Sequence, residues 1–195
     1  MKYFVALFAI VTLLSFRALD NIYSIVVKTI DGSKTELSQF KGKKMLFIVL
    51  PLSKQDSAVS INDIVQLQTK YQSSLVVIGI PSEEAGFKIG QEASLKKFYK
   101  ESGANFIITE GMKVQKGTDQ SSLFNWLTSR EKNHHFDRDV QGVGTKFFVD
   151  ERGELYAVFG KQMKLNNPII DKVIARQRPK NSNILLSQDS STKRM

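Results

Sequence analysis

Met45-Leu46-Phe47-Ile48-Val49-Leu50, then a polar and an amphipathic stretch, then Leu75-Val76-Val77-Ile78-Gly79-Ile80 halted at Pro81: this passage decides the fold. Both runs are continuously apolar, the pattern of strands covered on both faces, as in a central parallel sheet. Between them Ile61, Ile64, Val65 and Tyr71 share one side of a helix. Ser60 suits its N-cap, and Asp63 three residues on makes a weak capping box. Pro51 to Ser57 is the loop that leaves the first strand. Strand, helix and strand in this order predict a right-handed βαβ unit.

Working outward, Ile25-Val26-Val27 and Thr35-Glu36-Leu37 flank the turn signal Asp31-Gly32 and predict an N-terminal β-hairpin. Downstream, helical spacing returns at Leu95, Phe98 and Tyr99 and ends near Gly103, before a short strand at Phe106-Ile107-Ile108. Leu123, Trp126 and Leu127 mark the inner face of another helix. Lys146 to Asp150 and Leu155 to Phe159 flank Glu151-Arg152-Gly153 as a second hairpin, and a last helix starts at Pro168 and runs through Ile169, Ile170, Val173 and Ile174. This order predicts an α/β, thioredoxin-like fold: a central mixed sheet flanked by helices, with the N-terminal hairpin. Phe98, Tyr99, Phe124 and Trp126 fall at helical spacing and read as core.

The two ends differ from this body. Met1-Lys2 precedes an apolar run from Tyr3 to Leu14, followed by Ser15-Phe16-Arg17-Ala18. That is the pattern of a signal peptide over residues 1–18, which predicts export to a periplasm or the exterior. Phe16 is large for a position near a cut after Ala18, so an uncleaved anchor is the alternative. The run is shorter than the roughly 20 residues of an ordinary bilayer span. Residues 19–177 form the predicted domain, and 178–195 read as a polar tail without apolar period.

Net charge is +9, from 28 basic and 19 acidic residues, with clusters at Lys41, Lys43 and Lys44 and at Arg176, Arg178 and Lys180. No aromatic RNA-binding pattern, zinc-finger spacing or DNA-reading helix accompanies them, so nucleic acid is not the expected partner. An anionic membrane surface is another partner such an excess can signal, but the residues are scattered and read as solvated surface. The sequence contains 0 cysteines. It therefore offers no disulfide, no thiolate nucleophile and no thiolate metal ligand.

Several segments together resemble the glutathione peroxidase family. Ile22-Tyr23 through Asp31-Gly32, Leu37-Ser38 and Lys41-Gly42-Lys43 resemble its opening. Gly90-Gln91-Glu92, Gly117 with Leu123-Phe124-Asn125-Trp126-Leu127, and Thr145 to Asp150 with Gly153 are similar to later family elements in the same order. The resemblance spans about Ile22 to Ala175 and implies the thioredoxin fold. It also implies a peroxide-reducing cysteine or selenocysteine supported by Gln, Trp and Asn, with glutathione or thioredoxin as reductant, in the oxidative-stress response.

Here those positions have changed. The motif similar to "NVASKCG" is Leu50 to Asp56, placing Gln55 where the nucleophile belongs. Glu84 stands for the supporting Gln, with Phe87 as the alternative match because the loop is longer. Gly142 and Val143 stand for the Trp and Asn, and Tyr99 for a resolving cysteine found in some members. An amide has no ionisable proton near neutral pH and no such redox chemistry. The expectation is a family member inactive toward peroxide, acting as a binding or regulatory module on an unidentified protein or small molecule. The alternative is an oxidoreductase using non-standard residues or a partner's thiol. Glutathione or thioredoxin would be a partner only in that case.

No cofactor or metal is expected. His134-His135 with Asp137 and Asp139 supplies ligand types without ligand spacing, and reads as a polar loop. Glu83 and Glu84 read as solvent-facing rather than as an acid–base pair.

Overall fold

The computed structural model describes residues 21–56 and 58–177. The signal segment and the polar tail lie outside the described residues. β1 (Val26–Lys28) and β2 (Lys34–Glu36) pair antiparallel around the Asp31-Gly32 turn. The main sheet has five strands in the order β5-β4-β3-β6-β7. β3 (Lys44–Val49), β4 (Leu75–Ile80) and β5 (Ile107–Ile108) are parallel. β6 (Lys146–Val149) and β7 (Leu155–Phe159) form the antiparallel hairpin, with β6 paired to β3. This is the expected mixed sheet.

Both faces of β3 are buried, which is why its sequence is apolar without alternation. Met45, Phe47 and Val49 pack on one side with Leu123, Phe124, Trp126 and Leu127 of α3 (Ser122–Thr128) and with Ile22 and Tyr23. Leu46 and Ile48 pack on the other with α1 (Ile61–Lys70), α2 (Glu92–Glu101) and α5 (Pro168–Ala175), which supply residues such as Ile64, Tyr99 and Ile170.

Details depart from the sequence reading where helix ends and short turns are involved. The buried stripe of α1 is Ile61, Ile64 and Leu67, because Val65 and Tyr71 rotate toward its flank. Ser60 caps the helix by accepting from the Asp63 N–H at 3.4 Å. Leu37 opens a 3-10 turn rather than continuing β2. Phe98 is only half-buried, since Leu95 and Tyr99 already fill the inner face of α2. A one-turn α4 (Arg130–Asn133) follows α3 unannounced, ending on His134 in a left-handed conformation.

Candidate functional site

β3 and β4 run parallel and β6 runs against them, so the carboxyl ends of β3 and β4 meet the loop that enters β6. A cavity of about 260 Å³ opens there, bordered by Asp56, Ser82, Glu84, Val114, Gly142, Val143 and Lys161, among others. Three sequence-predicted positions, Glu84, Gly142 and Val143, thus share one cavity. Gln55 lies on the exposed loop immediately before Asp56 and is not among the lining residues.

Each wall has a physical cause. Gly144, at φ 84°, lets three segments converge: a Cβ there would sit 3.3 Å from the Ala58 carbonyl and 3.6 Å from the Lys161 Cα. Its N–H donates to the Val49 carbonyl at 2.8 Å, seating the Gly142–Val143 turn on the end of β3. The Tyr99 hydroxyl donates to the Pro51 carbonyl at 2.9 Å, pinning the start of the Gln55 loop. Burial pushes the Tyr99 phenol far above its ordinary range, so it is a fixed donor and not a titrating group.

Glu84 is more constrained than its exposed position suggests. Its carboxylate accepts from the Val114 N–H at 2.9 Å, the Gln115 N–H at 3.0 Å and the Ser82 hydroxyl at 2.7 Å. Desolvation opposes the charged form. The Gln115, Ser82 and Val114 donors outweigh it and hold the carboxyl below its ordinary value. Glu83 is half-buried, and its backbone N–H donates to the Met112 carbonyl. Phe87, the alternative match, is turned away: its ring covers Gly111, where a Cβ would approach within 2.0 Å. The longer loop is thereby anchored into the core while Glu84 faces the cavity.

The cavity presents a fixed carboxylate, a second carboxylate on Asp56, a hydroxyl and an ammonium group. It contains no thiol, because the chain has no cysteine. The His134–His135 segment lies elsewhere, with His135 3.8 Å from Glu154, Asp137 paired to Lys116, and Asp139 accepting from the Lys116 and Val140 N–H groups.

Two features escaped the sequence reading. Val114 and Gln115 contribute backbone N–H groups, which any residue type supplies. Lys146 is 1% exposed, and its ammonium donates to the carbonyls of Gly144 and Gly160 behind the cavity wall. A lysine opening an apolar strand was the available signal.

Residues 22–128, over half the chain, match the family model described as glutathione peroxidase. The glutathione peroxidase homolog BsaA of Bacillus subtilis is 29% identical over 151 residues, covering 76% of this chain and 91% of that protein. A glutathione peroxidase of Schistosoma mansoni is 25% identical over 146 residues, covering 72% and 83%. The crystal structure of T. cruzi GPX1 superposes with a TM-score of 0.59 at 19% identity, covering 79% of this chain and 94% of that one. That likeness establishes the thioredoxin-like fold.

Proposed function

We propose, for a chain that belongs to the glutathione peroxidase family, that it has lost peroxide reduction and keeps the cavity at the carboxyl ends of β3 and β4 as a binding or regulatory site. The observation that carries this reading is the absence of any cysteine. Peroxide reduction in the thiol manner needs a thiolate to accept oxygen and a second thiol to remove it. Gln55 supplies neither, and no serine, threonine or methionine cycles in that way. Glu84, Gly142 and Val143, taken as the positions of the former supporting residues, leave no set of donors for a thiolate. Glu84 instead braces the 113–116 segment.

The cavity suits a ligand or protein segment with polar groups complementary to the Glu84 carboxylate and the Lys161 ammonium. The reading extends to export, supported by the composition of residues 1–18, and detection of the chain in secreted and membrane fractions tests that part.

The decisive measurement is consumption of hydrogen peroxide and an organic hydroperoxide by purified protein, with glutathione and separately with thioredoxin. No turnover above the buffer blank is expected. Gln55→Cys is expected to remain without turnover, since its surroundings favour no thiolate. Sustained turnover by the unaltered chain would overturn the proposal.

A further inference from the structure

We propose that the cavity at the carboxyl ends of β3 and β4 takes a small α-hydroxy carboxylate, its anionic group held by Lys161 and Gln141 with the buried Lys146 ammonium behind them. The inference rests on the reading of that cavity as a binding site and names the chemistry of its ligand.

It begins with a buried charge that has no counterion. Lys146 is 1% exposed, and its ammonium meets the carbonyls of Gly144 and Gly160. Among the described residues no carboxylate pairs with it. At the opposite, basic end of the sheet, where Lys41, Lys43 and Lys44 cluster, the similarly buried Lys44 pairs with Glu151 at 3.0 Å. A buried ammonium without a carboxylate is unfavourable, and an anion placed nearby offsets that cost. The charged groups of the segments around Lys146 are Lys161 and Lys164 after β7, Asp56 after β3 and Glu84 across the cavity. Lys164 is the one that acts on it, as a like charge.

The cavity is where the missing anion fits. Gly144 follows the wall residues Gly142 and Val143, and Gly160 precedes the wall residue Lys161. The Gln141 side chain packs against Gly160 and leaves no room there for a Cβ. Gln141 and Lys161 both line the cavity, and Lys161 is exposed and pairs with no acid among the described residues. Together an ammonium and an amide offer a carboxylate several donors.

The acidic groups define the rest of the ligand. Both oxygens of Glu84 are already occupied, by the Val114 and Gln115 N–H groups and the Ser82 hydroxyl. Asp56 accepts from the Ala58 N–H through Oδ1 at 3.0 Å, which leaves Oδ2 for a donor on the ligand. Ala58 and Lys161 are brought together at Gly144. The donor must therefore sit close to the carboxylate, as a hydroxyl does in an α-hydroxy acid. A cavity of about 260 Å³ limits the ligand to a few heavy atoms.

The test titrates the full chain with lactate and, separately, with its uncharged amide, read by NMR shifts of the amides of residues 142–144 and by calorimetry. Lactate should bind at least about tenfold more tightly than lactamide. Burial, then Lys164, lowers the Lys146 pKa to about 8, and a bound anion holds that proton on. Lactate affinity should therefore fall about five- to tenfold as pH rises from about 7 to about 9.5. Near pH 8.5 binding should take up about half a proton, measured across buffers of different ionisation heat. Lys146→Met should flatten the pH dependence. Lys161→Gln should weaken lactate binding about fivefold and keep the dependence, with melting curves confirming that both variants fold. Equal binding of lactate and lactamide would overturn the proposal, as would a flat pH profile in the unaltered chain or an unchanged slope in Lys146→Met. Shifts confined to other parts of the chain, or none at all, would also overturn it. None of these results bears on the loss of peroxide reduction, which the turnover assay tests separately.

Discussion

Neighbouring strands of the central sheet each begin with a buried lysine, and the two lysines sit at opposite ends of the molecule in different company. Lys44 opens β3 at the basic end and meets two carbonyls and the carboxylate of Glu151. Lys146 opens β6 at the cavity end and meets the carbonyls of Gly144 and Gly160, with Lys164 adding a like charge. A buried ammonium with a carboxylate partner locks elements together; one held by carbonyl dipoles alone is under electrostatic tension. The basic end is thus the braced end. The cavity end keeps a charge that the fold only partly compensates.

The largest expected effect comes from Lys44→Met. The substitution preserves much of the stem and strands the buried Ile174 carbonyl, loosening α5 from β3. A loss of about 2–3 kcal/mol is expected, read by denaturant unfolding. Amide exchange should accelerate in the last turn of α5 before it does elsewhere. If Lys44→Met and Lys146→Met cost the same at neutral pH, the contrast between the ends breaks.

Lys146 sharpens the comparison through pH. Burial, then repulsion from Lys164, lowers its pKa from the ordinary 10.5 to about 8. Above that value the folded chain releases the proton while the unfolded chain still holds it. The unfolded state then binds more protons, so stability rises with pH from about 8 toward 10, by on the order of 2 kcal/mol. Tyr23, raised to about 12 by burial and by Asp150 and Glu151, acts in the opposite sense above its ordinary value of 10.0, because the folded phenol keeps its proton. The rise is therefore read below that point. Lys146→Met should abolish it and leave stability at neutral pH unchanged or higher. A wild-type curve that is flat or falls from pH 8 upward would contradict the environment assigned to Lys146.

The central sheet was legible because burial on both faces leaves its mark in strand composition: Met45 to Leu50 and Leu75 to Ile80 have no polar side to present. The cap of α1 and the first hairpin turn were legible from local chemistry. Ser60 accepts from the Asp63 N–H in the first turn of α1, and Asp31-Gly32 turns the chain between β1 and β2. The site was legible in part. Glu84, Gly142 and Val143 could be matched to positions in a known pattern, but the donors on Glu84 are main-chain groups of Val114 and Gln115, thirty residues away and without side-chain signature. The meeting of Lys44 with Arg176 was equally invisible, since a contact across 132 residues is a property of topology and not of spacing.

The smallest expected effect tests how the cavity wall is held. If the Glu84 carboxylate braces the 113–116 segment, Glu84→Ala should cost about 1 kcal/mol or less globally, because the group is exposed and solvent replaces part of what is lost. Its local effect should be larger and confined: the Val114 and Gln115 amides, which now donate to that carboxylate, should exchange faster, while amides of β3 stay protected. Acid should reproduce the change in the unaltered chain. The folded carboxyl ionises below its ordinary value, so its contribution is present above the ordinary carboxylate range and is lost as pH falls through the folded value. Unchanged exchange at Val114 and Gln115 in both experiments would mean that backbone contacts such as the Ser121 N–H to Lys113 carbonyl bond at 3.1 Å hold the wall without help, and Glu84 would then be free to meet a ligand directly.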